Sequence, residues 1–162
     1  MKGRRISLEK LKENYEILKK KYSLPTFDEL NEDFGIEKAA RFETDFLIRE
    51  IRKIIGDKFF NYMKFFENII NPVNSSMFIL FLVKSLNKDE KNKIFSIYKE
   101  LIKFEISFIK LDLKFNEKNE ADLIKDYYKS WQRIKKDILK IIDRVSKDDG
   151  YNEGGNIKKY FG

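Results

Sequence analysis

The chain has 162 residues, 42% of them hydrophobic and 15% aromatic, enough to bury a core in one domain and too apolar for global disorder. It has no Cys and no His, which excludes disulfides, thiolate nucleophiles and zinc–sulfur sites and removes the commonest general base and transition-metal ligand. The formal charge of +7, from 34 Lys and Arg against 27 Asp and Glu, favours polyanionic partners; a codon bias toward Lys, Ile, Asn and Phe accounts for it equally well.

In chain order, Ser7 is placed to cap a helix running to about Tyr22, with Leu8, Leu11, Tyr15, Leu18 and Tyr22 as one narrow apolar stripe. Leu24-Pro25 breaks it, because Pro25 lacks an N–H and biases Leu24 away from helical geometry. Thr26 and Glu29 form a capping box opening a short helix that Gly35 ends. A long helical pattern follows from about Glu37 to Asn71, with a restart near Thr44. Gly56 in its middle marks a bend or a close helix contact.

After Asn71-Pro72, Asn74-Ser75-Ser76 caps an apolar segment, Met77 to Val83, that reads as helix because no strand exists to pair with it. Being apolar all round, it is expected to be buried on every side, with a homodimer covering part of it as the alternative. It is far shorter than the ~20 residues that span a bilayer, so no membrane role is expected. Asn87 and Glu90 start a helix to about Phe115. Asn116 opens the last one, with Leu123, Ile124, Tyr127, Trp131, Ile134, Ile138, Ile141, Ile142 and Val145 inward and Gly150 as its stop. Short connections imply antiparallel neighbours. The expected fold is therefore all-α: an up-down bundle of three long antiparallel helices with two or three shorter ones, residues 1–149 as one domain and 150–162 as a Gly- and aromatic-containing tail.

Chemistry has few places to sit. Residues 1–25 hold eight cations and three acids, a local balance of +5, so Lys2, Arg4, Arg5, Lys19, Lys20 and Lys21 are the candidate phosphate-binding residues for RNA or a nucleoprotein. Glu29 and Glu32 at one helical spacing, with Asp33, and Asp122 and Asp126 at another, could meet as a Mg²⁺ site like that of all-α nucleotide pyrophosphatases. First-turn positions complementing helix dipoles explain Glu29 and Asp122, as they do Asp28, Glu117 and Glu120, so no metal or other cofactor is assigned. Arg49 and Arg52 share a face suited to two-point binding of a carboxylate or phosphate, although Asp45, four residues earlier, offers Arg49 a local partner. Trp131 falls on an apolar stripe and reads as core. In the tail, Ile157, Tyr160 and Phe161 are candidate partner-binding residues, docking on the bundle or on another protein.

Leu24-Pro25-Thr26-Phe27-Asp28-Glu29-Leu30-Asn31, with Phe46-Leu47-Ile48-Arg49-Glu50-Ile51-Arg52, resembles small helical archaeal proteins of unknown function. The resemblance covers about a third of the chain. It implies an archaeal, cytosolic origin and transfers no activity or site residue. The expected function is a non-enzymatic, cytoplasmic interaction protein, a small subunit of an RNA or nucleoprotein assembly. A protein–protein scaffold or homodimer is the first alternative, and a Mg²⁺-dependent nucleotide pyrophosphatase the second.

Overall fold

A computed structural model of the protein describes residues 5–41 and 43–147. The expected stop at Gly150 and the tail lie outside these residues. The described residues form six α-helices, α1 (Leu8–Tyr22), α2 (Phe27–Phe34), α3 (Leu47–Ile70), α4 (Met77–Ser85), α5 (Lys88–Leu113) and α6 (Glu117–Lys147), with a 3-10 segment (Ile36–Arg41) between α2 and α3 and no strand.

The helix boundaries fall where local chemistry satisfies the end amides. Ser7 Oγ accepts from Lys10 N at 3.2 Å. The boxes Thr26/Glu29 and Asn87/Glu90 are both closed in each direction. Asn116 Oδ1 accepts from Asn119 N at 2.9 Å. At Gly35 the backbone turns into the left-handed region, φ 67°, and its N–H satisfies the Asn31 carbonyl at 2.8 Å.

The pattern read as helix from Glu37 is interrupted. Ile36 and Ala39, both buried, repeat by three rather than by 3.6, which suits a 3-10 turn. The chain then passes through a Thr44 turn, where Phe46 N donates to Thr44 Oγ1 at 3.0 Å, before α3 begins.

The long helices α3, α5 and α6 pack together, and their cross-contacts give their directions. Between α3 and α5, Arg52 meets Asp112 and Phe59 meets Phe104, so the two run antiparallel. Between α5 and α6, Glu90 pairs with Arg144, Glu100 with Arg133 and Phe104 with Tyr127, again antiparallel. Between α3 and α6, Arg52 meets Glu120 and Tyr62 meets Trp131, a parallel pair.

Phe59 is the centre of this packing. Its ring stacks on Tyr127 at 4.8 Å and contacts Phe104, Trp131 and Phe34 at 5.6, 5.8 and 6.2 Å. Trp131 is core, as its stripe implied. The shorter N-terminal elements close one side, with Leu11, Tyr15, Leu30 and Ile36 fully buried and Tyr15 Oη donating to the Pro25 carbonyl at 2.6 Å.

α4 departs from expectation. Of its residues only Ile79 is buried, while Met77 and Phe78 are 66% and 57% exposed. The helix lies against α3 as a flank instead of threading the centre, because the space between the long helices is already filled by aromatic rings. Ile142, expected to face inward, is about half exposed.

Gly56 is a close-contact glycine. A β-carbon placed there would lie 2.2 Å from Phe108 Cε2 on α5. Gly56→Ala gains about 1 kcal/mol of helix propensity but drives the Phe108 ring off its seat, an overpacking cost of ~1–3 kcal/mol. Net destabilisation is expected in urea unfolding, and Gly56→Ala combined with Phe108→Ala should be more stable than the two separate losses add to.

Candidate functional site

Three clusters stand out: two charged groupings inside the fold and one apolar groove on its surface. The first is built on Arg52, which sits on the apolar face of α3 next to Ile51 and Ile55 and is 0% exposed. Its Nε donates to Glu120 on α6, also 0% exposed, and its Nη2 to Asp112 Oδ1 on α5 at 2.8 Å. The guanidinium lies 3.9 Å from the centroid of the Phe108 ring, a cation–π contact in a dry setting. Arg49 joins from one turn earlier, donating to the Asp112 carbonyl at 3.2 Å.

Arg49 and Arg52 thus bind carboxylates as their shared face suggested, but those carboxylates belong to α5 and α6. The expected local Asp45–Arg49 pair is not made, because Asp112 offers both a carboxylate and a carbonyl. Arg52 Nη1, Glu120 Oε1 and Arg49 Nε are buried without a hydrogen-bond partner among the described residues.

Two acids of this cluster respond in opposite directions. Burial works to raise Asp112, but Arg52 and Arg49 outweigh it and hold the carboxyl below its usual range. Glu120 is deeper, and there burial wins over Arg52 and pushes the carboxyl up.

The second cluster centres on Asp33, at the end of α2. Its Oδ1 accepts from Lys135 Nζ and its Oδ2 from Gln132 Nε2, each at 2.7 Å, tying α2 to α6. Burial works to raise the Asp33 carboxyl; Lys135 and Gln132 outweigh it and hold it low. Lys58 of α3 donates to the Asp33 carbonyl, with its ammonium 4.6 Å from the Trp131 ring. Burial pulls the Lys58 pKa down; Asp33 opposes this and Lys135 and Lys38 add to it. A cleft of about 610 Å³ opens beside this cluster between the α2 end, the 3-10 segment and α3. Its walls mix Lys38, Arg41 and Lys58 with Glu32, Glu50 and Asp57, so no single sign of charge is concentrated there.

The third feature is the groove, about 430 Å³, where α3, α4 and the end of α6 meet. Phe65, Phe78, Phe81, Leu82, Ile142 and Val145 line it, with Ser146 as the one polar residue. Met77 on α4 and Leu139 on α6 are further exposed apolar residues of the same helices.

The residues singled out from sequence are dispersed. Among the basic candidates, Lys19 pairs with Glu16 at 3.1 Å and Lys21 with Glu117 at 3.3 Å. Their neighbours Lys10 and Lys12 pair with Glu43 and Asp28. Arg5 and Lys20 are exposed. Lys2 and Arg4, like Ile157, Tyr160 and Phe161, lie outside the described residues.

The carboxylates do not converge. Glu29 accepts from Thr26 N and Oγ1, both at 2.7 Å, Glu32 lines the cleft, Asp122 pairs with Lys125 at 2.9 Å, and Asp126 is exposed. α6 turns Gln132 and Lys135 toward Asp33 of α2 instead of acids. No group of three or more acidic side chains disposed to hold a metal ion occurs among the described residues.

Arg52 and Glu120 were missed as a pair, although each left a signal. Arg52 interrupts the Ile48, Ile51, Ile55, Phe59 face, and Glu120 continues the stripe Ile124, Tyr127, Trp131, Ile134 back by one turn.

No helix among the described residues is long and apolar enough to cross a membrane. No family model, curated protein or solved structure matches the chain.

Removing one partner of the buried pair strands the other. Arg52→Met should cost about 3–5 kcal/mol in chemical denaturation, and adding Glu120→Leu should recover most of it. For Asp33, the low folded-state pKa gives a contribution to stability that is complete above the unfolded value of about 3.9 and is lost as pH falls through the lower folded value. Asp33→Asn should flatten that acid limb in denaturation midpoints measured across a pH series, and an unchanged limb would show that other carboxylates set it.

Proposed function

We propose that this small all-helical chain is a non-enzymatic protein-binding module whose α3–α4–α6 groove takes a short segment bearing bulky apolar side chains. One observation carries the reading: a run of seven apolar residues, 77–83, is left half uncovered beside a concave apolar surface. Exposed apolar patches of this kind mark interaction sites, and a groove between helices suits an amphipathic helical segment presenting residues at three- and four-residue spacing. The resemblance to small helical archaeal proteins adds no activity to this reading.

Phosphate binding to RNA or a nucleoprotein is the second reading. Its support is the local excess of cations in residues 1–25, with Arg5 and Lys20 exposed. It ranks below the groove because four lysines of α1 are ion-paired within the fold, which reduces the charge on offer to a polyanion.

Selection from a displayed random-peptide library tests the choice. Peptides with two or three large apolar residues at helical spacing should be enriched and should bind with little dependence on salt. Phe78→Ser should weaken them about tenfold or more, the loss of a buried aromatic contact worth ~1.5–3 kcal/mol. Because Phe78 is exposed, this variant should keep the wild-type unfolding midpoint. No enrichment, or enrichment indifferent to Phe78, would sink the reading. Steeply salt-dependent binding of RNA in its place would promote the second.

A further inference from the structure

α5 is apolar on two nearly opposite faces. On the inner one Ile94, Ile97 and Leu101 are buried and Phe104 and Phe108 pack on α3. On the outer one Ile102 is half-buried, Phe95, Ile106 and Ile109 are about half exposed, and Leu113 is 84% exposed. With Lys99 between Phe95 and Ile102, the steps from Phe95 to Leu113 alternate by four and three throughout. That alternation is the seven-residue repeat by which two helices pair along a seam. The seam is about 27 Å long at 1.5 Å per residue, and only Lys99 interrupts its apolar character.

The flanks of the seam identify its partner. One side carries Ser96, Lys103 and Lys110; the other carries Tyr98, Glu105 and Asp112. A second copy of α5 laid parallel sets Glu105 against the copy's Lys110 and Tyr98 against its Lys103, each twice by symmetry. Laid antiparallel, it sets Glu105 against Glu105 and Lys103 against Lys103, so charge selects the parallel pair. Glu105, Lys103 and Lys110 make no ion pair among the described residues. Burial pushes the Glu105 carboxyl up, and Asp112 and Asp57 push the same way, a load that an ammonium from a second copy relieves.

The other charges around the seam are accounted for. Asp112 is taken by Arg52 and Arg49, Lys53 of α3 pairs with Glu50, and Lys64 lies over the Phe60 ring. Lys91, just before the seam, meets the copy's neutral Ser96. Like charges meet only on the seam line itself, at Lys99 and at Lys88 where α5 begins. A single lysine inside a seam costs stability but fixes register and the number of strands. Because α5 is already held helical by its inner face, pairing orders no backbone.

We propose that the outer face of α5 is a self-association surface, on which two copies of the chain pair along a parallel seam. None of the residues lining the α3–α4–α6 groove comes from α5, so the pair leaves both grooves open.

Sedimentation equilibrium on the full chain across a concentration series tests this. Wild type should approach the mass of two copies. Ile106→Glu, which sets two carboxylates into the seam, should weaken pairing about a hundredfold or more while helical circular dichroism stays as in wild type. Lys110→Glu should weaken it about tenfold, and Glu105→Lys/Lys110→Glu should restore it, because the flanking pairs re-form with their signs exchanged. The chain has no Cys, so Leu113→Cys supplies a single thiol, which meets its copy in a parallel pair and should cross-link under mild oxidation. A single-copy mass at every concentration overturns the proposal. So does a two-copy mass indifferent to Ile106→Glu, or a pair in which Leu113→Cys does not cross-link.

Discussion

The bundle depends on a cation with nowhere to go. Arg52 reaches none of the solvent, and its guanidinium is held by Glu120 on α6, Asp112 on α5 and the Phe108 ring, so one side chain of α3 touches both other long helices. Hydrophobic contact is non-directional and permits helices to slide; a buried ion pair does not, because any slip leaves a charge uncompensated in a low-dielectric interior. Arg52 therefore fixes the register of the three helices at one end, and the aromatic group around Phe59 fills the space that this register leaves. Gly56 sits between the two, at the point where Phe108 must come close enough to cover the guanidinium.

Much of this was legible in the sequence. Every cap that the spacing of Ser, Thr, Asn and Glu implied is formed, since caps are local and need only the next turn of backbone. The all-α class and the central placing of Trp131 followed from periodicity in the same way. The failures share a cause: they required knowing which helix lies opposite. Asp45 looked like the partner of Arg49 because it is near in sequence, whereas Asp112 is near in space. Glu120 looked like a dipole-complementing acid because first-turn acids usually are, and only the approach of α3 makes it a counterion.

The misplacing of α4 is instructive for the candidate site. A helix that opens with seven consecutive apolar residues suggests a central one, yet centrality is decided by competition for a finite volume, and long aromatic-bearing helices win it. What remains is an apolar helix at the flank, connected to α3 and α5 by short turns and unable to leave. The basic N-terminal excess was legible too, but the acids that answer it, Glu43 and Glu117 among them, come from distant elements and could not be counted from residues 1–25 alone.

The single tryptophan has an optical consequence. Trp131 is 96% shielded from solvent, with Phe34, Phe59 and Tyr62 rings at 5.9, 5.8 and 5.2 Å and the Lys58 ammonium against its face. Its emission is therefore a natural reporter of the molecule's middle. The wavelength registers whether the aromatic centre is dry. Glu120 lies eleven residues before it and Val145 fourteen after it on the same helix, about 17 and 21 Å at 1.5 Å per residue. Both ends of the bundle are thus far enough away that the indole reads them only through the core, which makes its fluorescence an internal standard against which events at the groove are measured.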